Sequence, residues 1–108
     1  MSLSDLTRDF GGWADTTFEN PPIQAYGRKL AHEVHELNND LEDFGMNADN
    51  PDRTNIGAEL ADCLLVLCAI ANRVGVDLER EALKKFEINK GRTWIKQADG
   101  THQHVKKA

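Results

Sequence analysis

Two acidic pairs share one spacing: Glu33 and Glu36 in HEVHEL, and Glu59 and Asp62 in GAELADCLLVL. Residues three apart on a helix project from one side, about 60° apart, so each pair presents two carboxylates together. Four carboxylates at one rim of a core would repel and raise each other's pKa unless cations neutralised them. Oxygen-only ligation suits Mg²⁺ or Mn²⁺, with positions left for water and substrate. Asp62 carries the sharpest signal. It is the one charged residue from Leu60 to Ala71, and a carboxylate buried in such a run is costly unless it is paired or metal-bound. The expectation is a buried Asp62 tolerated because a metal sits on it.

A basic ridge complements the acids. Lys85, Asn89, Arg92 and Lys96 are spaced four, three and four, which places them along one side of a continuous helix. Facing carboxylates, such a ridge suits a phosphate chain held between metal and cations. Other chemistries are excluded. Neither Gly11-Gly12 nor Gly91 sits in a strand–loop–helix context, so this is no P-loop enzyme. No Glu-x-x-His pair exists, which argues against a ferritin-like di-iron bundle. His32 and His35 read as surface residues, and His102-x-His104 in a polar tail is weak evidence of a metal site.

Four helices account for the positioning. The chain has 108 residues, 40% of them hydrophobic, which fits one domain with one core. The first helix runs from a Ser4 N-cap to about Glu19, with Leu6, Phe10, Trp13, Ala14 and Phe18 at helical spacing and Gly11-Gly12 weakening its middle. Pro21-Pro22 suit the first turn of the second, which carries Ile23, Tyr26, Leu30, Val34, Leu37, Leu41 and Phe44 on one stripe. Gly45 to Asp52 reads as a loop. The third helix begins near Thr54 or Asn55 and ends at Val74 before Gly75. The fourth follows an Asp77 cap, turns Leu78, Ala82, Leu83 and Phe86 inward, and continues to about Trp94–Lys96. Asp99-Gly100 is a turn, the tail is short and polar, and no strand pattern is visible. The fold class is all-α, an antiparallel four-helix bundle.

Charge and cysteines bound the setting. The net charge is −5, with nine acids and one base over 33–62 against seven bases and two acids over 84–108. That balance argues against a nucleic-acid polymer or a membrane surface as partner and leaves an anionic small ligand open. Cys63 and Cys68 lie about 140° apart around one helix, so buried free thiols in a reducing cytoplasm are expected. The uninterrupted apolar run 63–71 is too short to span a bilayer. Leu60, Leu64, Leu67 and Val74 are expected to pack on the second helix. Leu65, Cys68 and Ala69 then point elsewhere, which makes a homodimer or homotetramer, with Leu65 and Ala69 near the subunit contact, the natural way to cover them.

EVHE (33–36), GAELADCLLVL (57–67) and KFEINKGR (85–92) together resemble the MazG-like all-α nucleoside triphosphate pyrophosphohydrolases, over roughly residues 25–95. The resemblance implies one MazG-like domain over 1–108, with its core over 20–97. It implies cleavage of a (deoxy)nucleoside triphosphate between the α- and β-phosphates, giving a monophosphate and pyrophosphate. Glu33, Glu36, Glu59 and Asp62 would hold Mg²⁺, or Mn²⁺, with Glu36 orienting the attacking water. Lys85 and Asn89 match a Lys-x-x-x-Asn that contacts phosphate or sugar in relatives, and Arg92 would help the leaving pyrophosphate. Trp13 and Phe18 are the candidates to cover the base. Val66 stands where some relatives carry tyrosine, so nothing carries over there. A phosphoribosyl-ATP pyrophosphohydrolase and a catalytically silent helical interaction module are the competing readings.

Overall fold

The computed structural model describes residues 1–46 and 53–106. The chain forms two compact units, Met1–Leu78 and Glu79–Ala108. The first holds three helices, α1 (Leu3–Thr17), α2 (Ile23–Met46) and α3 (Thr54–Val74).

Helix α1 starts earlier than Ser4 because Ser2 and Asp5 form a reciprocal capping box. The Asp5 N–H donates to Ser2 Oγ at 3.0 Å, and the Ser2 N–H donates to Asp5 Oδ2 at 3.1 Å. Two of the orphan N–H groups of the first turn are thereby satisfied. Phe18 ends the helix, and Glu19 and Asn20 take left-handed φ values of 59° and 50°. The chain then turns through Pro21-Pro22 into α2. Gly45 and Met46, expected in a loop, continue α2; the rest of that expected loop, 47–52, lies outside the described residues. Helix α3 closes as expected on Gly75, whose φ of 73° lets its N–H and that of Val76 return to Asn72 and Ala71.

Helix α3 lies between α1 and α2 and packs on both. Tyr26 sits against Arg73, while Glu33 lies beside Glu59 and Asp62, so α2 runs antiparallel to α3. Helix α1 crosses the C-terminal half of α3 at Gly11, where a Cβ would stand 2.4 Å from Asn72 Cβ. The glycine that costs helix propensity is thus what permits the close crossing. Gly11→Ala is expected to lower stability by about 1–3 kcal/mol through overpacking. Denaturant unfolding checks this against Gly12→Ala, which meets nothing within 4 Å and should be neutral or stabilising.

The interior is small. Ala14, Tyr26, Val66 and Ala69 form it, with Phe10, Leu30 and Ile70 packed against them. Its arrangement reverses the face expected for α3. Cys68 and Ala69 are buried and Leu65 is half-buried, whereas Leu60, Leu64, Leu67 and Val74 are exposed. A helix apolar all round does not reveal by periodicity which side meets its neighbours. Asp62 is likewise exposed rather than buried. By length and mean hydropathy alone, all of α3 qualifies as a candidate membrane span. Its packing between α1 and α2, and its carboxylates, are those of a core helix.

In the second unit, α4 (Leu78–Lys90) follows Asp77, with Glu79 and Glu81 in its first turn. It stops at Lys90, short of the expected 94–96. Trp94–Lys96 is instead strand β1, paired antiparallel with β2, His102–His104. Asp99-Gly100 makes the expected turn. Gly100 has a φ of 89°, and the Asp99 carboxylate accepts from the Thr101 N–H and hydroxyl. Three-residue strands carry too few alternations to show in a sequence. Leu83 and Phe86, expected inward, are 62% and 59% exposed.

Candidate functional site

Three of the four paired carboxylates come together. One oxygen each from Glu33, Glu59 and Asp62 lies within 4.8 Å of the others. Glu33 is buried, Glu59 partly so, and Asp62 is exposed. Glu36 is not brought into the cluster; its half-exposed carboxylate lies 3.9 Å from His32 Nε2. The 300° step from Glu33 to Glu36 turns the second acid toward the polar side of α2. His32 and His35 are exposed, as expected.

Electrostatics around the cluster are uneven. The Lys29 ammonium, 2.8 Å from Glu33 Oε1, holds Glu33 below the usual carboxylate range, against the opposing effect of burial. Burial pushes Glu59 up, and its hydrogen bond with Glu33 and the charges of Glu33, Asp40 and Asp62 add to the effect. Burial, then the charges of Glu33, Glu59 and Asp62, raise the Cys63 thiol. Glu59 Oε2 is buried with no hydrogen-bond partner. An orphaned carboxylate oxygen among two further carboxylates is the donor set that a hard divalent cation takes, Mg²⁺ or Mn²⁺ before a softer metal.

Beside the acids lies a cavity of about 460 Å³. Its apolar lining includes the rings of Phe10, Phe18 and Tyr26 and the side chains of Leu65, Val66 and Ala69; its charged lining is Lys29, Glu33 and Asp62. Phe18 is thus one of the cavity's rings. Trp13 does not line the cavity but stacks behind it, with ring centroids 5.6 Å from Phe10 and from Phe18. The sequence places Phe10 and Tyr26 only on apolar stripes and does not single out Lys29. Lys29 and Tyr26 lie four and seven residues before Glu33 on its own face, a spacing that would have shown them.

An ion pair braces this cavity. Arg73 Nη2 lies 2.7 Å from Asp15 Oδ1, Arg73 Nη1 donates to the Pro21 carbonyl at 2.8 Å, and the Tyr26 hydroxyl donates to Asp15 at 2.8 Å. Arg73 first, and the Tyr26 hydroxyl next, hold the Asp15 carboxyl below its usual value against desolvation. A depressed folded-state pKa gives stability that is fully present above the unfolded value and lost as pH falls through the folded one. Asp15→Asn is therefore expected to melt lower at neutral pH, and to lose less on acidification below about pH 4 than the parent chain does. Melting curves across pH read this directly.

The expected basic ridge is broken. Lys85 is exposed on α4, while Arg92 and Lys96 fall beyond that helix, Lys96 in β1. Arg92 Nη1 donates to Asn89 Oδ1 at 3.2 Å. These residues belong to the second unit.

A scan against protein-family models finds no match. A dATP/dGTP diphosphohydrolase of Salmonella phage PMBT28 is 34% identical over 104 residues, 96% of this chain. The chain spans about a third of that relative's length, 32%. Among solved structures, a MazG-like pyrophosphohydrolase of cyanophage S-2L, bound to dGDP and three catalytic Mn²⁺ ions per active site, superposes with a TM-score of 0.75. It is 22% identical, and the match covers all of this chain and 97% of the other. The chain has the MazG-like all-α fold. The resemblance carried by 33–36, 57–67 and 85–92 is borne out by a relative and a fold found independently of it.

Proposed function

We propose that this chain is a divalent-metal-dependent nucleoside triphosphate pyrophosphohydrolase, cleaving a (d)NTP between its α- and β-phosphates to a (d)NMP and pyrophosphate. One observation carries the reading: Glu33 and Asp62, two of the three clustered carboxylates, line one cavity with three aromatic rings. A flat heterocycle fits among rings, and a metal-bound phosphate chain fits on carboxylates. The relative named for dATP and dGTP and the neighbour that holds dGDP and Mn²⁺ support the same chemistry.

Metal on Glu33, Glu59 and Asp62 would neutralise phosphoryl oxygens and stabilise the leaving pyrophosphate. Glu36, one turn from Glu33 and outside the cluster, keeps the role of orienting water. Phe18, Phe10 and Tyr26 hold the base by stacking and exclude water from it. Tyr26 has its hydroxyl engaged by Asp15, so it offers a ring face more than a hydrogen-bond donor. Trp13 backs Phe18. Lys85, Asn89 and Arg92 keep their proposed phosphate contacts on sequence resemblance alone.

The working form is a homodimer or homotetramer. The contact lies not at Leu65 and Ala69, which face inward, but along the exposed row Leu60, Leu64, Leu67 and Val74. Two free thiols, one of them buried, fit a reducing cytoplasm. Incubation with dATP, dGTP and the other triphosphates in Mg²⁺, followed by chromatography, tests the function. Equal (d)NMP and pyrophosphate are expected. A diphosphate with orthophosphate, or no turnover of any triphosphate, would overturn it.

A further inference from the structure

Lys29 stands between the two halves of the site. Tyr26, Lys29 and Glu33 follow one another along α2 at steps of three and four, so they share a face about one turn apart, and all three line the cavity. Among the described residues, Lys29 is the one basic side chain of that lining. Its ion pair with Glu33 adds little to the helix, because lysine four residues before glutamate is the weaker orientation. The two partners also differ in freedom. The Glu33 side chain is 8% exposed and that of Lys29 58%, so one carboxylate is fixed while the ammonium can swing on its four-carbon stem.

The local charge decides where that ammonium goes. In the metal-free cluster it is the close counter-charge of a buried carboxylate within a group of three. Once those carboxylates are ligated, their oxygens are engaged and the added positive charge repels the ammonium. The cavity side of α2 is then its nearest favourable place. There it lies about 5 Å, one helical turn, from the level of the Tyr26 ring and the same from Glu33.

On the pyrophosphohydrolase reading above, we propose that Lys29 is a displaceable counter-charge. It holds Glu33 in the metal-free protein, is released when the carboxylates bind a divalent cation, and then binds the oxygens of the phosphate nearest the base. The two roles predict opposite signs on removal. Without the ammonium, metal no longer has to displace a cation, so metal should bind more tightly. The nucleotide loses a phosphate contact, so it should bind more weakly.

The test titrates Mn²⁺ calorimetrically into metal-free, nucleotide-free wild type, Lys29→Met and Lys29→Arg, and measures KM and kcat of each for dGTP or the best triphosphate. Lys29→Met is expected to bind Mn²⁺ about tenfold more tightly and to raise KM about tenfold, with kcat within a few-fold; tenfold corresponds to about 1.4 kcal/mol. Lys29→Arg should return both values toward wild type. Equal or weaker Mn²⁺ binding in Lys29→Met overturns the displaceable role, and an unchanged KM overturns the phosphate contact. If wild type binds Mn²⁺ and turns over a triphosphate while Lys29→Met matches it, only the Lys29 proposal fails. If wild type does neither, the function itself fails, and this inference with it.

Discussion

Asp62→Asn should lower triphosphate hydrolysis at saturating Mg²⁺ by about 10³-fold and leave the fold intact. A positioned metal contributes several kcal/mol of transition-state stabilisation, and about 4 kcal/mol corresponds to three orders of magnitude in rate. The fold should not suffer, because Asp62 is exposed and exposed substitutions rarely matter to stability. Removing one of three clustered like charges should, if anything, raise the melting temperature of the metal-free protein. Glu36→Gln makes the contrast. Its carboxylate lies outside the cluster, so kcat should fall about 10²-fold, as for loss of a base, with Mn²⁺ affinity near wild type. Wild-type rates in Asp62→Asn, or equal loss of metal from both variants, would contradict these assignments.

Leu64→Glu is expected to break the assembly. Among the described residues, the largest fully buried side chain is that of Cys68, so their interior buries little apolar volume by itself. Leu60, Leu64, Leu67 and Val74 meanwhile form one exposed row along α3. Covering each such side chain contributes about 1.5–3 kcal/mol, and a charge in mid-row forfeits its neighbours' burial as well. Light scattering should give a dimer or tetramer for the parent chain and 12.1 kDa for Leu64→Glu. A parent chain that already runs at that mass, or a variant whose assembled mass is unchanged, would refute the contact.

Much of this was legible in the sequence, for identifiable reasons. The two acid pairs showed because three-residue spacing survives any detail of packing, and Glu33, Glu59 and Asp62 did converge. Glu36 did not, because a 60° difference in direction suffices to leave a cluster whose centre the pattern does not specify. Gly75 and the Asp99-Gly100 turn were readable because left-handed φ demands particular residues. The inward face of α3 was not, since a helix with leucine on most sides carries no periodic contrast. The N-cap expected at Ser4 lies instead at Ser2, whose partner in the capping box is Asp5. The Asp15–Arg73 brace joins residues 58 apart in sequence, a pairing that local spacing cannot reveal.

Electron paramagnetic resonance of Mn²⁺ reads whether Glu33, Glu59 and Asp62 form a divalent-metal site. The six-line signal of free Mn²⁺ should fall as metal-free wild type is added. It should persist when the same amount of a Glu33→Gln, Glu59→Gln, Asp62→Asn triple variant, shown by circular dichroism to be folded, is added instead. An undiminished signal with wild type, or equal loss of signal with the variant, would contradict the account.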